Sequence, residues 1–198
     1  MSVLVKICGL SDRHTVSSAV DAGADAIGFV FARSIRRVSV DVALEASRHV
    51  SKDVLRVAVM QHPTQEEWQR VADGFCPDIL QTDADDFDYL EVAENFDRWP
   101  VYREGRLSAN TRMPDTFVYE GMKSGQGDTV DWQAAGKIAR HGKMILAGGL
   151  GAHNVADAIR RVRPFGVDVS SAVEASPGKK DAGKIAAFVA AAKNTEFS

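Results

Sequence analysis

Short apolar runs alternate with longer amphipathic segments along nearly the whole of this 198-residue chain. The apolar runs include AIGFVF at residues 26–31, LRVAVM at 55–60 and MILAGG at 144–149. Near-continuous apolar runs of this length are typical of parallel strands that are buried on both faces. Because parallel strands need a crossover between them, the amphipathic segments are predicted to be helices that connect each strand to the next.

Eight strands are predicted in this way, with a helix after nearly every one. The predicted strands cover residues 3–7, 26–31, 55–60, 78–81, 100–103, 117–120, 144–147 and 167–170, and the predicted helices cover 11–22 (with Ser11 as the N-cap), 40–50, 63–73, 85–95, 132–141, 154–162 and 181–193. Residues 104–114 are predicted to form a loop, because Gly105, Asn110 and Pro114 interrupt a weak apolar pattern.

This pattern favours one α/β domain over residues 1–198, a (β/α)8 TIM barrel in which a loop replaces the fifth helix. Barrels of this kind typically have about 250 residues, so short loops are expected here. The alternative architecture is an open, doubly wound parallel sheet. Its commonest form carries a GxGxxG motif after the first strand, and this chain has no such motif there.

Charge and composition argue against several classes of partner. The formal net charge is −3, and lysines and arginines are scattered, so neither a nucleic acid nor a membrane surface is an expected partner. No run approaches the ~20 apolar residues of a membrane span. Cys8 and Cys76 fit neither a metal motif nor a disulfide framework, so reduced thiols and no metal are expected. The strand-like start leaves no room for a signal peptide, so a cytoplasmic location is expected.

Polar, glycine and thiol residues stand at the C-terminal ends of the predicted strands, where barrels of this kind carry their active sites. They are Lys6, Cys8, Ser34, Arg36, Gln81, Asp83, Glu120, Gly148, Gly149, Asp168, Ser170 and Ser171. We therefore expect these side chains to meet at one mouth of the barrel.

The ends of the seventh and eighth strands carry the clearest signal for a ligand. Gly148 and Gly149 would let backbone N–H groups approach a ligand closely, and Ser170 and Ser171 add hydroxyl and amide donors. Loops after these two strands commonly bind phosphate. Either motif alone is also compatible with a tight turn or a helix cap. Their joint placement favours a phosphate site.

Cys8 and Glu120 end the first and sixth predicted strands. A thiol at the barrel mouth serves as a base or nucleophile if nearby cations lower its pKa, but an inert buried cysteine is the alternative. A carboxyl at this depth is costly unless it is paired or functional, so a structural salt bridge is the alternative for Glu120.

The motifs resemble the phosphoribosylanthranilate isomerase family of tryptophan biosynthesis over nearly the whole chain. They are KICGL at residues 6–10, AGADAIGFVF at 22–31, SIRRVS at 34–39, SGQGDTVDW at 124–132, LAGGLGAHNV at 146–155 and RPFGVDVSSAVEASPGKKD at 163–181. The resemblance implies a barrel whose fifth helix is replaced by a loop. It also implies an Amadori rearrangement, which turns an N-linked ribosyl phosphate into a 1-amino-1-deoxyketose by acid–base catalysis without a cofactor.

The resemblance also implies roles for individual residues. Cys8 matches the general base, Arg36 matches the arginine that holds the anthranilate carboxylate, and Glu120 stands at the position of the general acid. The remaining matches are Gln81 and Asp168 near the substrate, Gly127 in a loop that covers it, and Gly148, Gly149, Ser170 and Ser171 around the phosphate. The implied partner is a small phosphosugar, and both monomers and homodimers occur in the family.

Three positions depart from the family pattern, and the loops before Ser34 and after Glu120 are shorter than in the family. Glu120 replaces the usual aspartate, Asp83 stands in QTDA where the family reads QLHG, and Ala172 replaces a glycine beside the predicted phosphate site. Two alternative functions therefore remain open at this stage. One is the isomerisation of another aminoaldose phosphate, such as the histidine-pathway intermediate with two phosphates. The other is a phosphosugar-binding barrel without catalytic activity.

Overall fold

Eight parallel strands close into a barrel, in the order β1 to β8, in the computed structural model of this chain, which describes residues 3–107, 111–122 and 129–195. The strands are β1 Leu4–Cys8, β2 Ala26–Val30, β3 Leu55–Val59, β4 Ile79–Asp83, β5 Asp97–Arg103, β6 Thr116–Glu120, β7 Lys143–Leu146 and β8 Gly166–Val169. Pairing of β1 with β8 completes the ring. The predicted barrel is thus confirmed, and the open doubly wound sheet is excluded.

Six α-helices pack around the barrel in the described residues. They are α1 Arg13–Asp21, α2 Val40–Ser47, α3 Gln65–Phe75, α4 Trp132–Ile138, α5 Val155–Val162 and α6 Ala182–Lys193. Ser39 caps α2, and Thr64 forms a capping box with Glu67 at the start of α3. The predicted N-cap Ser11 is wrong. Asp12 caps α1 instead, because its carboxylate accepts a hydrogen bond of 2.9 Å from the backbone N–H of Thr15.

The predicted helix at residues 85–95 is wrong. A short 3₁₀ helix covers Ala84–Asp88, and irregular chain leads from there to β5. The carboxylate of Asp86 is buried and accepts hydrogen bonds from the side chains of Thr82 and Tyr89 and from the backbone N–H of His62. These contacts hold the segment against the end of β4 and compete with a continuous helix.

No α-helix is found between β5 and β6 in the part of the connection that the structure describes. Residues 104–107 and 111–114 are irregular, as predicted, and residues 108–110 lie outside the described ranges. The connection after β4 contains no α-helix, and neither does the described part of the connection after β5. This helps to explain how the barrel closes in a chain of this length.

The chain after β8 forms an element that was not predicted. A 3₁₀ turn at Ser171–Val173 leads into an antiparallel hairpin of β9, Glu174–Ser176, and β10, Lys179–Lys180. The hairpin carries Glu174 and Lys180 back over the end of the barrel. Both side chains become part of the surroundings of the site described below.

Two apolar layers hold the fold together. Inside the barrel, the inward-facing side chains fill the centre, and they include Ala26, Val57, Ile79, Trp99, Val101, Val118, Ile145 and Ala147. The larger layer lies between the outer faces of the strands and the helices. Because side chains alternate along a strand, Lys6 and Cys8 share the inner face of β1, while Val5 and Ile7 pack outwards. None of the helices in the described residues has the length and apolar composition that crossing a membrane requires.

Candidate active site

The C-terminal mouth of the barrel is a cavity lined by the predicted site residues that the structure describes, except Lys6, which is fully buried. The lining residues that were predicted are Cys8, Ser34, Arg36, Gln81, Asp83, Glu120, Gly148, Gly149, Asp168, Ser170 and Ser171. The predicted covering loop at residues 124–128, with Gly127, lies outside the described residues. Sequence positions as far apart as 8 and 171 thus meet at one place, because parallel strands end together at one rim.

A buried ion pair lies beneath the thiol of Cys8. Lys6 is fully buried, and its Nζ lies 3.0 Å from Oδ2 of Asp168, the residue directly across from it on β8. Burial pulls the pKa of Lys6 down, but Asp168 and Cys8 outweigh burial and raise this pKa above its ordinary value. Lys6 therefore stays charged next to the thiol.

Opposing influences act on the Cys8 thiol itself. Burial raises the pKa of Cys8 above its ordinary value, and the negative charge of Asp168 adds to this effect. The positive charges of Lys6 and Lys180 pull the same pKa down. The balance leaves the thiol protonated at rest, with two ammonium groups nearby that would stabilise a thiolate.

Two buried oxygens in the cavity accept no hydrogen bond from the described residues. They are Oδ1 of Asp168 and Oε1 of Gln81. Leaving a buried acceptor without a donor costs roughly 1–3 kcal/mol, so both atoms are well suited to accept hydrogen bonds from the hydroxyl groups of a bound sugar.

The loops that follow β7 and β8 present backbone groups to the cavity. Gly148 and Gly149 have φ values of 92° and 60°, a region that residues with a Cβ rarely adopt. Asn154 braces this turn: its Oδ1 accepts from the N–H of Gly151 at 2.8 Å, and its Nδ2 donates to the carbonyl of Gly149 at 2.9 Å. With Ser170 and Ser171 beside it, the turn has the form of an anion site.

Ala172 replaces a family glycine but does not line this cavity. It lies in the 3₁₀ turn after β8, and its side chain is exposed. The backbone there has no positive φ, so alanine fits without strain.

Arg36 reaches the cavity from the loop after β2. Its Nε and Nη2 donate to the two carboxylate oxygens of Glu174 at 2.6 and 3.0 Å, and Lys180 donates to the same carboxylate at 2.8 Å. Burial acts to raise the pKa of Glu174, but these bonds and one from the Gly178 N–H outweigh it and lower the pKa to about 2. Gly9 leaves room for Arg36, since a Cβ there would lie 2.8 Å from Cδ of the arginine.

A second arginine, Arg103, lies between two carboxylates at the mouth. Its Nη1 contacts Oδ1 of Asp83 at the end of β4, and its Nη2 lies 3.0 Å from Oε1 of Glu120 at the end of β6. All three side chains line the cavity, with exposed fractions of 9% for Arg103, 11% for Asp83 and 14% for Glu120. The salt bridge considered as an alternative for Glu120 is therefore present, in a side chain that also faces the cavity.

One group in the described residues has the spacing of metal ligands. Atoms of His62, Asp83 and Asp86 lie within 4.8 Å of one another. Both carboxylates already accept hydrogen bonds or ion pairs from protein groups, since Arg103 contacts Asp83 and Thr82 donates to Asp86. The arrangement fits a hydrogen-bonded network better than a metal site.

Three residues around the cavity were missed in the sequence. Arg103 ends a predicted strand, as the other site residues do, so its position was the available signal. Glu174 and Lys180 lie in the motif at residues 163–181, but no role was predicted for them, because they reach the site only through the unpredicted hairpin.

Comparison with known proteins identifies the family. The family model for N-(5'phosphoribosyl)anthranilate (PRA) isomerase matches residues 5–191. The N-(5'-phosphoribosyl)anthranilate isomerase of Listeria monocytogenes serotype 4b is 38% identical over 204 residues, which cover 98% of this chain and 100% of that protein. The solved phosphoribosyl anthranilate isomerase of Thermotoga maritima superposes with a TM-score of 0.84 at 32% identity, covering 96% of this chain and 98% of that one.

A phosphoribosyl anthranilate isomerase solved in complex with reduced 1-(o-carboxyphenylamino)-1-deoxyribulose 5-phosphate matches with a TM-score of 0.80. It is 33% identical and covers 96% of this chain and 98% of its own. These matches confirm the resemblance that the motifs suggested: the chain belongs to the N-(5'-phosphoribosyl)anthranilate isomerase family.

Proposed function

We propose that this chain catalyses the rearrangement of N-(5'-phosphoribosyl)anthranilate to 1-(2-carboxyphenylamino)-1-deoxyribulose 5-phosphate in tryptophan biosynthesis. The observation that carries the proposal is one cavity that combines a thiol on β1, a carboxyl on β6, the turn at Gly148 and Gly149 after β7 and the serines after β8. A relative of 33% identity binds the reduced form of this product, which supports the same substrate class here.

In the proposed reaction, Glu120 in its protonated form donates a proton to the furanose ring oxygen. The ring opens to a protonated imine between C1 of the sugar and the anthranilate nitrogen. The thiolate of Cys8 then removes the proton from C2, and the electron pair moves into the C1–C2 bond and neutralises the iminium nitrogen. Tautomerisation of this enolamine returns a proton to C1 and leaves a ketone at C2. Since the iminium nitrogen accepts the electrons, the step requires no cofactor.

The proposed binding groups hold three parts of the substrate. The turn at Gly148 and Gly149, with Ser170 and Ser171, would take the phosphate. Arg36 would take the anthranilate carboxylate with the guanidinium N–H groups that Glu174 does not use. The unpartnered oxygens of Gln81 and Asp168 would accept bonds from the sugar hydroxyls.

Cys8 must lose its proton to act as the base. Burial and Asp168 oppose this loss, whereas Lys6 and Lys180 favour it. The cationic iminium of the substrate would add a further positive charge next to the thiol at the step where the thiolate is needed. This timing would make the raised resting pKa compatible with catalysis.

Activity of the purified protein on N-(5'-phosphoribosyl)anthranilate, followed by anthranilate fluorescence, tests the proposal. Cys8→Ser and Glu120→Gln should each lower kcat by about 10²- to 10⁴-fold while substrate still binds, because general acid–base groups contribute factors of this size. Cys76→Ser, which changes the exposed free cysteine, is the matched control and should leave kcat unchanged. Near-normal turnover by both active-site variants would refute the assigned acid and base.

Complementation of a tryptophan auxotroph that lacks this isomerase separates the remaining functions. Growth supports the proposal, whereas failure with soluble, expressed protein points to a binding barrel without activity. Turnover of the two-phosphate histidine-pathway substrate in its place would support the second enzymatic alternative.

We also propose that the chain works as one domain in the cytoplasm, an environment that the unpaired Cys8 and Cys76 suit.

A further inference from the structure

Arg103 lies between Asp83 and Glu120, two of the positions at the barrel mouth where the motifs of this chain depart from the family pattern. On β5 it stands level with Glu120 on β6, and the two are paired in the strand register. Its guanidinium contacts Asp83 on one side and Glu120 on the other. The family motifs have a histidine at the position of Asp83 and an aspartate at that of Glu120, so the carboxylate of Asp83 and the extra methylene of Glu120 are features of this sequence.

The extra methylene of Glu120 creates a positioning problem. A C–C bond is about 1.5 Å long, and the longer side chain has one more rotatable bond than aspartate. A displacement of about 1 Å in a reacting group costs a rate factor of order 10². An unrestrained glutamate would therefore spend much of its time away from the ring oxygen that it must protonate.

The planar fork of Arg103 restrains this side chain. Nη1 contacts Oδ1 of Asp83 and Nη2 lies 3.0 Å from Oε1 of Glu120, so the guanidinium has a carboxylate partner on each side. Arginine suits this task because its donors are rigid relative to one another. His62 lies close to Asp83, with its Nε2 3.6 Å from Oδ2 of Asp83.

We infer that Arg103 is a positioning residue for Glu120, and that Asp83 orients Arg103 for this role. The inference rests on the proposed function, in which Glu120 is the general acid. In this arrangement Arg103 acts through Glu120 and binds no part of the substrate. Asp83 also shares the positive charge of Arg103, so the guanidinium does not interact with Glu120 alone.

The inference predicts an effect on turnover more than on substrate binding. Arg103→Gln should lower kcat by about 10- to 100-fold, since it loosens the acid without removing it, and should change KM by less than about threefold. Arg103→Lys should lose less than the glutamine variant, because one ammonium still contacts one carboxylate. Equal losses in the two variants would contradict a role that depends on a cation.

A double-variant comparison distinguishes positioning from general support of the fold. In a Glu120→Gln background the acid is already lost, so adding Arg103→Gln should lower kcat by less than about twofold. If the two losses instead multiply, Arg103 does not act through Glu120 and the inference fails. Asp83→Asn should lower kcat by a smaller factor than Arg103→Gln, and a loss larger than that of Arg103→Gln would contradict its supporting role.

Arg56→Gln is the matched control. Arg56 is also a strand arginine, and it pairs with Asp78 at 3.5 Å at the opposite end of the barrel. The Arg56→Gln variant should keep kcat within about twofold of the parent. Thermal unfolding checks that Arg56→Gln and Arg103→Gln are folded. If Arg103→Gln is too unstable to assay, Arg103→Gln with Asp83→Asn removes the unpaired buried carboxylate and should show the same kcat loss.

Failure of the inference is distinct from failure of the proposed function. If the parent protein does not turn over the ribosyl anthranilate, the proposed function is refuted, and with it the role of Glu120 on which the inference rests. If the parent is active and Glu120→Gln is not, but Arg103→Gln keeps full kcat, the inference alone is refuted.

Discussion

Lys6→Met would remove the cation of the buried ion pair beneath Cys8 while keeping a side chain of similar length. Lys6 is 0% exposed, and Asp168 at 3.0 Å would stay buried without it. Removing one partner of a buried pair costs about 3–5 kcal/mol. Because Lys180 also acts on the charge of Asp168, we expect the lower end, about 3 kcal/mol.

This loss is large for a chain of this size. Domains of 150–250 residues lose about 2–4 °C of Tm per kcal/mol, so Lys6→Met should unfold about 6–12 °C below the parent. Asp168→Asn should be destabilised by a similar mechanism, since it leaves the buried ammonium of Lys6 without its carboxylate. The variant that combines both changes should be more stable than the sum of the two losses predicts, because no isolated charge remains.

The same two variants should move the pH dependence of activity in opposite directions. Lys6 lowers the pKa of Cys8 and Asp168 raises it. If the thiolate is the base, activity rises as the pH passes through the thiol pKa. Lys6→Met should therefore shift the rising limb to higher pH, and Asp168→Asn should shift it to lower pH.

Urea unfolding measured by circular dichroism gives the free energy of unfolding of each variant. Measurement of kcat/KM from pH 5 to 10 gives the position of the rising limb of the pH profile. Lys193→Met is the matched control, since Lys193 pairs with Asp25 at 2.6 Å at a more exposed site and should cost no more than about 1 kcal/mol. Strictly additive losses in the double variant would refute the ion-pair reasoning. A shift of the rising limb in the same direction for both single variants would refute the assignment of Cys8 as the base.

Three further predictions test the surroundings of the site and the scaffold. Hydrogen bonds lower the pKa of Glu174 from its ordinary 4.5 to about 2, which is worth about 3 kcal/mol of folding free energy. This stability is present above the ordinary pKa and is lost as the pH falls through about 2. The free energy of unfolding of Glu174→Gln should therefore depend less on pH than that of the parent between about 4.5 and about 2. Thr64→Ala should lower the free energy of unfolding in urea by about 1 kcal/mol, because the capping box with Glu67 is lost, and an unchanged value would show that the cap contributes nothing. Ala172→Gly should leave KM for the phosphorylated substrate within about twofold, since Ala172 lies outside the cavity lining, and a tighter KM would show that the methyl group crowds the phosphate.

Helix and strand types were predictable where local pattern and tertiary structure agree. The apolar runs that became β2, β3 and β7 are strands in any packing that buries both faces, and Thr64 and Ser39 cap their helices through neighbours in sequence. The segment at 85–95 also has a helical pattern, but hydrogen bonds to the buried Asp86 come from side chains and backbone up to 24 residues away. Local propensity cannot include such contacts.

The sequence by itself determined that this is an eight-stranded barrel, because the alternation of apolar and amphipathic runs allows few other arrangements that bury the apolar runs. The barrel in turn places the site at the C-terminal ends of the strands. It also predicted many of the residues that line the cavity, though not Arg103, since position at the end of a strand is a property of sequence order. Only the tertiary structure decided how those residues act on one another. The pairing of Lys6 with Asp168, the hairpin that brings Glu174 to Arg36, and the place of Arg103 between Asp83 and Glu120 join residues from separate strands or loops. Their distances are set when the barrel closes, and charge interactions depend on those distances and on burial.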